Sequence, residues 1–194
     1  MKIRFVFHNP KGERGVGKAI VGWTWILGCF YNWKVLKYNF SHVEVWLPYE
    51  NSPKDRWFYN EYTNHYCGQC FSSTTRGVYN GVRFAPAHEV IGKHPERWSY
   101  IECDVDPERL EVAVQEAERL VGGDYDYGYI ISFLQPFIVQ KESDWACSEI
   151  IDWFRSLCRV RVGTKGRTEQ FKRISPRRFC YVLAKAWHEP KELA

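Results

Sequence analysis

No stretch of the 194-residue chain is apolar for long enough to cross a bilayer as a helix. The longest nearly apolar run, Ala19–Tyr31 (AIVGWTWILGCFY), has 13 residues, against the ~20 that a spanning helix needs. The opening MKIRFVFHNPKGERG meets charge too soon to serve as the core of a secretory signal, so a cytoplasmic protein is expected. Internal repeats, low-complexity tracts and Pro/Gly/Ser-rich linkers are also missing, which points to a single domain over residues 1–194. The glycine-rich GERGVG lacks both the GK[ST] of a Walker loop and the GxGxxG of a dinucleotide fingerprint. One CxxC is present, in HYCGQC (His65, Cys67, Cys70), but no second CxxC or HxxxH pair follows. Cys103, His88 and His94 would complete a zinc site only through long-range folding. A redox CxxC would open a helix, whereas Phe71-Ser72-Ser73 reads as extended. No metal or organic cofactor is therefore expected.

Hydrophobic residues make up 45% and aromatics 17% of the chain, enough for a large core, which excludes disorder as the main state. Seven cysteines, an odd number without a secretory signal, point to free thiols in a reducing compartment. The net charge is a mild +4, but it is unevenly spread. Residues 1–40 carry seven Lys/Arg and one acid, and Arg155–Lys185 carries ten Lys/Arg and one acid. Basic ends around an acidic centre would attract nucleic acid, anionic lipid or another acidic polymer. Surface charge is more often a solvated face, so nucleic acid is not the expected partner, and an anionic surface is the milder alternative.

Ile3–Phe7 alternates as a strand does, and residues 16–31 suit a buried helix. Phe40–Leu47 (FSHVEVWL) alternates Phe40, His42, Glu44 and Trp46 on one side with Ser41, Val43, Val45 and Leu47 on the other, and Pro48 ends it. Weaker strands are expected at Trp57–Tyr62, Cys70–Ser73 and Val82–Phe84, and a clearer one at Tyr100–Val105. Asp106-Pro107 opens the best helix, with an aspartate to cap the free amides and a proline tolerated in the first turn. Leu110, Ala113, Val114, Ala117, Leu120 and Val121 then recur at helical spacing up to Gly122-Gly123. Further helices are expected over Cys147–Cys158 and from Ser175-Pro176 to Lys185. Strands early and helices late make the class α+β.

Three side chains stand out chemically. Cys147, in DWACSEIIDWF, falls at a helix start that Ser143 or Asp144 would cap. There the positive dipole end stabilises a thiolate, the reactive form. Ile150 and Phe154 continue its stripe at i+3 and i+7, so the thiol stands at the rim of a buried face. His42 shares a strand face with Glu44, because residues i and i+2 point the same way. A nucleophilic thiol needs a base, and the base needs a polar group to hold its tautomer. Against these readings, free cysteines are usually small buried hydrophobes, and a His-x-Glu on a strand is often solvated surface. The remaining histidines have plain readings: His8 and His94 beside loop prolines, His88 in a turn-like APAHEV, and His188 near the tail.

Taken in order, these pieces resemble the circularly permuted papain-like cysteine amidases of the NlpC-type superfamily, to which lecithin-retinol acyltransferase-like proteins are related. The resemblance rests on the first strand, the apolar segment after it, YNFSHVEVWL with His42, and CFSSTTRGVYNGVRF (Cys70–Phe84). It continues through GGDYDYGYIISF (Gly122–Phe133), WACSEIIDWF with Cys147, and SPRRFCYVLAK (Ser175–Lys185). Unpermuted relatives place the cysteine helix before the histidine strand, whereas here His42 precedes Cys147 by 105 residues. The resemblance implies an antiparallel sheet packed against helices, Cys147 as nucleophile and His42 as base. The family takes its third polar residue from a strand beside the histidine strand, which favours Glu61 or Ser72. The His-x-Glu pattern favours Glu44, which is the choice here. Tyr125 or Tyr127 would line the site. The implied substrate is a peptide, a peptidoglycan-type peptide or a lipid ester. Small accessory proteins of tailed phages are similar in length and motif order, which would place the protein in a host cytoplasm.

Overall fold

The computed structural model describes residues 1–10, 38–48, 59–60, 65–75, 80–126, 145–163, 165–168, 170 and 174–193. The strands are β1 (Lys2–His8), β2 (His42–Leu47), β3 (Tyr59–Asn60), β4 (His65–Tyr66), β5 (Gln69–Thr74), β6 (Gly81–Pro86), β7 (Trp98–Asp104) and β8 (Lys191–Glu192). The helices are α1 (Ala87–Val90), α2 (Pro107–Leu120), α3 (Cys147–Leu157) and α4 (Pro176–Ala184). Six strands form one antiparallel sheet in the order β6-β5-β2-β1-β7-β8, and β3 pairs with β4 apart from it. The α+β class follows directly. The apolar segment 16–31 lies outside the described residues, as do Glu61, Tyr127, Ser143 and Asp144.

Alternation along the strands sorts the side chains onto two faces. Ile3, Phe5 and Phe7 of β1, Val43, Val45 and Leu47 of β2, Phe71 of β5 and Ile101 of β7 join one core with the helices. Leu110, Ala113 and Ala117 of α2, Ile150 and Phe154 of α3, and Phe179 and Leu183 of α4 close that core. Phe179 meets Phe5 edge-on at 5.5 Å, and Phe154 lies 5.6 Å from Phe71. Each such ring contributes about 2–3 kcal/mol by leaving water. On the other face Val6, Trp46, Cys70 and Trp98 pack with Ala87 of α1 and with Ile91. Arg4 lies over both Trp46 and Tyr100, 5.3 and 4.4 Å from their centroids, while its Nε donates to Glu102 at 3.0 Å.

Local chemistry explains the boundaries. The Asp106 carboxylate accepts from the amides of Glu108 and Arg109 and starts α2 as expected. Ser175 caps α4 through Arg178 N–H. Gly68, before β5, has φ +88°, and a Cβ there would collide with the carbonyl of Leu47. β2 begins at His42 rather than Phe40, because Ser41 N–H bonds out to the His8 carbonyl at 3.0 Å. The alternation therefore breaks at Ser41, and Phe40 belongs with Phe7 in the helix-side core, 5.3 Å between centroids, not beside Trp46. His8 is also displaced from expectation: it is the buried last residue of β1 rather than a loop residue. His88 lies on α1, not in a turn.

Arg155 and Arg177, two of the basic residues between 155 and 185, are interior side chains rather than part of a solvated face. No helix among the described residues is long and apolar enough to cross a membrane.

Candidate active site

Cys147 is the first residue of α3. The N-cap is Ala146, in extended conformation, with no side-chain oxygen to offer. Two other contacts set the helix start: Ser148 Oγ donates to the Ile174 carbonyl at 2.5 Å, and the Glu149 side chain bonds back to the Ala146 backbone. The approach to α3 is strapped as well. Tyr125 and Trp145 form a parallel bridge, with Trp145 N–H donating to Asp124 and Asp126 N–H to Trp145.

α3 packs on β2, and the thiol of Cys147 hydrogen-bonds to the ring of His42. The Nε2 of that ring lies 2.9 Å from Glu44 Oε1, which leaves Nδ1 as the ring nitrogen for the thiol. Glu44 is gripped in turn by Arg83 of β6: Nη2 donates to Oε1 at 2.7 Å and Nη1 to Oε2 at 3.0 Å. β5 runs between β2 and β6 and places Ser72 opposite Arg83. A small side chain there leaves room for the ion pair. The Ser72 hydroxyl itself donates to the Val43 carbonyl at 2.9 Å.

Thus Cys147, His42 and Glu44 come together in one buried chain, and Ser72 is turned to the backbone. Tyr125 is half-buried beside Trp145, and Glu61 and Tyr127 fall outside the described residues. Of the CxxC cysteines, Cys67 is half-buried before β5, and Cys70 sits in the core with Trp46, close enough to Glu44 and Arg83 to feel their charges. Cys103 is on the helix side of the sheet, and His88 and His94 are exposed. Among the described residues no group of three or more His, Cys, Asp or Glu is placed to hold a metal ion.

No protein-family model, curated protein or solved structure matches this chain. Its own geometry and charge are what define the site.

Burial works to protonate Glu44, but the Arg83 charge and the His42 hydrogen bond prevail and bring its pKa down to about 2. Burial also opposes a charged His42. The Cys147 sulfur and the Glu44 carboxylate outweigh it and raise His42 above its usual value. Cys70 shifts upward, from burial first and then from the Glu44 charge, and remains a thiol.

Arg83, His8, Asp126 and Glu149 are the members of this neighbourhood that sequence reasoning missed. His8 pairs directly with His42 across β1–β2, and Trp98 flanks it with a centroid distance of 4.9 Å. The alternation of Arg4, Val6 and His8 was the available signal for it, obscured by the Asn9-Pro10 that follows.

Glu149 gives the opposite pH signature to Glu44. Burial, followed by the nearby Asp126 charge, pushes its pKa up to about 7, against the pull of the Ala146 backbone bond. Glu44 therefore adds stability above its unfolded pKa near 4.5, lost as pH falls toward 2. Glu149 subtracts stability as pH rises from near 4.5 through 7, because the unfolded state ionises there while burial keeps the folded carboxyl protonated, and above 7 the full penalty remains. Glu149→Gln is expected to stabilise the protein at pH 8 by about 1 kcal/mol after discounting for solvent screening. That corresponds to a melting temperature higher by roughly 2–4 °C, with less than half the gain at pH 5. Equal shifts at both pH values in thermal melts would show that Glu149 is not protonated in the native state.

Proposed function

We propose that the protein is a cysteine-nucleophile hydrolase or acyl-transfer enzyme on a permuted papain-like fold. The observation that carries this reading is the buried chain Cys147–His42–Glu44, with the thiol on the first residue of a helix. His42 takes the Cys147 proton, and the thiolate attacks an amide, ester or thioester carbonyl. The Cys147 backbone N–H, at the positive end of the helix, supports the oxyanion. As the carbonyl re-forms, the C–N, C–O or C–S bond breaks and His42 returns its proton to the leaving group. An acyl-thioester on Cys147 remains. Water, or another acceptor in a transferase, then gives its proton to His42, attacks the thioester and releases the thiol. Peptide, peptidoglycan-type and lipid-ester substrates all suit this chemistry, which runs without metal or organic cofactor, and a cytoplasmic setting keeps the thiols reduced.

The test is the rate of iodoacetamide alkylation at each of the seven cysteines across pH 5.5–9, read by mass spectrometry in wild type and His42→Ala. A free thiol of pKa ~8.5 is only about 0.3% thiolate at pH 6. An ion-paired thiol is mostly thiolate there, and its lower intrinsic nucleophilicity takes back roughly 10–20-fold, so a net gain of about tenfold is expected. Cys147 alone should show that gain, and His42→Ala should remove it. A Cys147 no faster at pH 6 than half-buried Cys67 would sink the proposal.

A further inference from the structure

A polar residue that orients a catalytic imidazole must itself be held in one place and one protonation state. Glu44 is deeply buried, an environment that favours the neutral acid of an unpartnered carboxyl group. Arg83, also buried, is what distinguishes this carboxylate. Its two Nη atoms bond to the two oxygens of Glu44, and Oε1 is shared between Arg83 Nη2 and His42 Nε2. Arg83 is held by its strand. Val82 N–H donates to the Gly123 carbonyl at 2.8 Å and Gly122 N–H to Val82 at 3.0 Å, tying β6 to the end of α2. Gly81 opens that strand with φ +91°, where a Cβ would collide with the same Gly123 carbonyl.

We propose that Arg83 sets the tautomer of His42. By keeping Glu44 an ionised, fixed acceptor, it holds hydrogen on Nε2 and leaves the Nδ1 lone pair facing Cys147. An ionised carboxylate can only accept, so the nitrogen it meets must carry hydrogen. A protonated Glu44 would donate instead, hydrogen would move to Nδ1, and the ring could no longer accept the thiol proton. Arg83 is thus a positioning residue, acting through Glu44. The downward shift of Glu44 agrees with this role. The other titratable groups brought against this chain are Cys147 from α3, His8 from β1 and Cys70 from β5. The inference rests on the Cys147–His42 reading above.

The experiment uses the full chain with two readouts. Nitrogen-15 NMR of His42 at pH 8 is recorded in Cys147→Ser, where no thiolate holds the ring as imidazolium, with and without Arg83→Met. The Nε2–H tautomer is expected in the first and the Nδ1–H tautomer in the second. In the cysteine-bearing protein, Arg83→Met is expected to lower Cys147 alkylation at pH 6 about tenfold, to the level of His42→Ala. Arg83→Lys retains the charge and is expected to retain Nε2–H. If Arg83→Met does not fold, Arg83→Gln, which removes the charge but still donates to Glu44, takes its place with the same expected reversal.

A merely structural ion pair would lower the melting temperature and leave both tautomer and reactivity unchanged, which overturns the role given to Arg83. An Nδ1–H tautomer in Arg83→Lys overturns it too. An ordinary Cys147 in wild type defeats the enzyme reading itself, so the two failures are distinguishable.

Discussion

Cys147→Ser is expected to lose at least about 10³-fold of the turnover of an activated ester such as p-nitrophenyl acetate, although sulfur and oxygen differ little in size. The effect should be large because the surroundings are matched to a thiol. A thiol ionises near pH 8.5, within reach of an imidazole assisted by one carboxylate and a helix N-terminus. A serine hydroxyl is a far weaker acid and lies beyond that reach. Wild type should also release a burst of p-nitrophenol and gain the mass of one acetyl group at Cys147, the thioester that the mechanism requires. His42→Ala should abolish the burst while leaving the fold intact. If Cys147→Ser kept a tenth of the activity, or the acetyl group mapped to another residue, the nucleophile would be elsewhere.

Arg155→Ala is expected to cost about 3–5 kcal/mol of stability. Arg155 and Asp152 lie one turn apart on α3, and the side chains of both are fully shielded from solvent. Arg155 Nε donates to Asp152 at 2.7 Å, and Nη1 donates to the carbonyls of Val160 at 2.7 Å and Thr168 at 3.0 Å. One guanidinium therefore neutralises a buried carboxylate and holds the chain that follows α3. Truncation removes the Arg155 charge and hydrogen bond from buried Asp152 and takes a donor from two carbonyls. For a chain of this length the loss corresponds to a melting temperature lower by roughly 10–15 °C. Arg155→Met with Asp152→Leu removes both charges together and should recover much of the loss, because an apolar pair of similar volume carries no desolvation penalty. If chemical denaturation found less than 1 kcal/mol for Arg155→Ala, water would have to reach Asp152 in the native state.

Elements whose signals are local could be read directly. Asp106-Pro107 and the period of Leu110, Ala113 and Ala117 define α2 without any knowledge of its neighbours. The alternation of Val43 and Val45 with Glu44 and Trp46 defines β2 in the same way. Cys147 and His42 were legible because a helix start and a strand face restrict where a side chain can go. Arg83 was not, because its partner lies two strands away and the pairing exists only once β5 is in register. The same holds for His8, whose pairing with His42 spans 34 residues. The cap of α3 was misplaced because alanine has no capping signature, and the contacts that anchor that end come from Ser148 and Glu149 instead. β8 has two residues, too short for alternation to register, and pairs with β7 at the sheet edge.

Cys147 and His42, the proposed nucleophile and base, are 105 residues apart in the chain, and their meeting has a kinetic meaning. Closing so long a loop is entropically slow, and contacts of this separation form only after the sheet and α3 have docked. Until then Cys147 is an ordinary thiol, with no imidazole to take its proton. On the proposed function, a chain still emerging from the ribosome, or one that is misfolded, thus carries a disarmed thiol that cannot acylate itself or its neighbours. Refolding followed by the return of fast alkylation at pH 6 would time the last docking step, with the thiol serving as its own reporter of the native state.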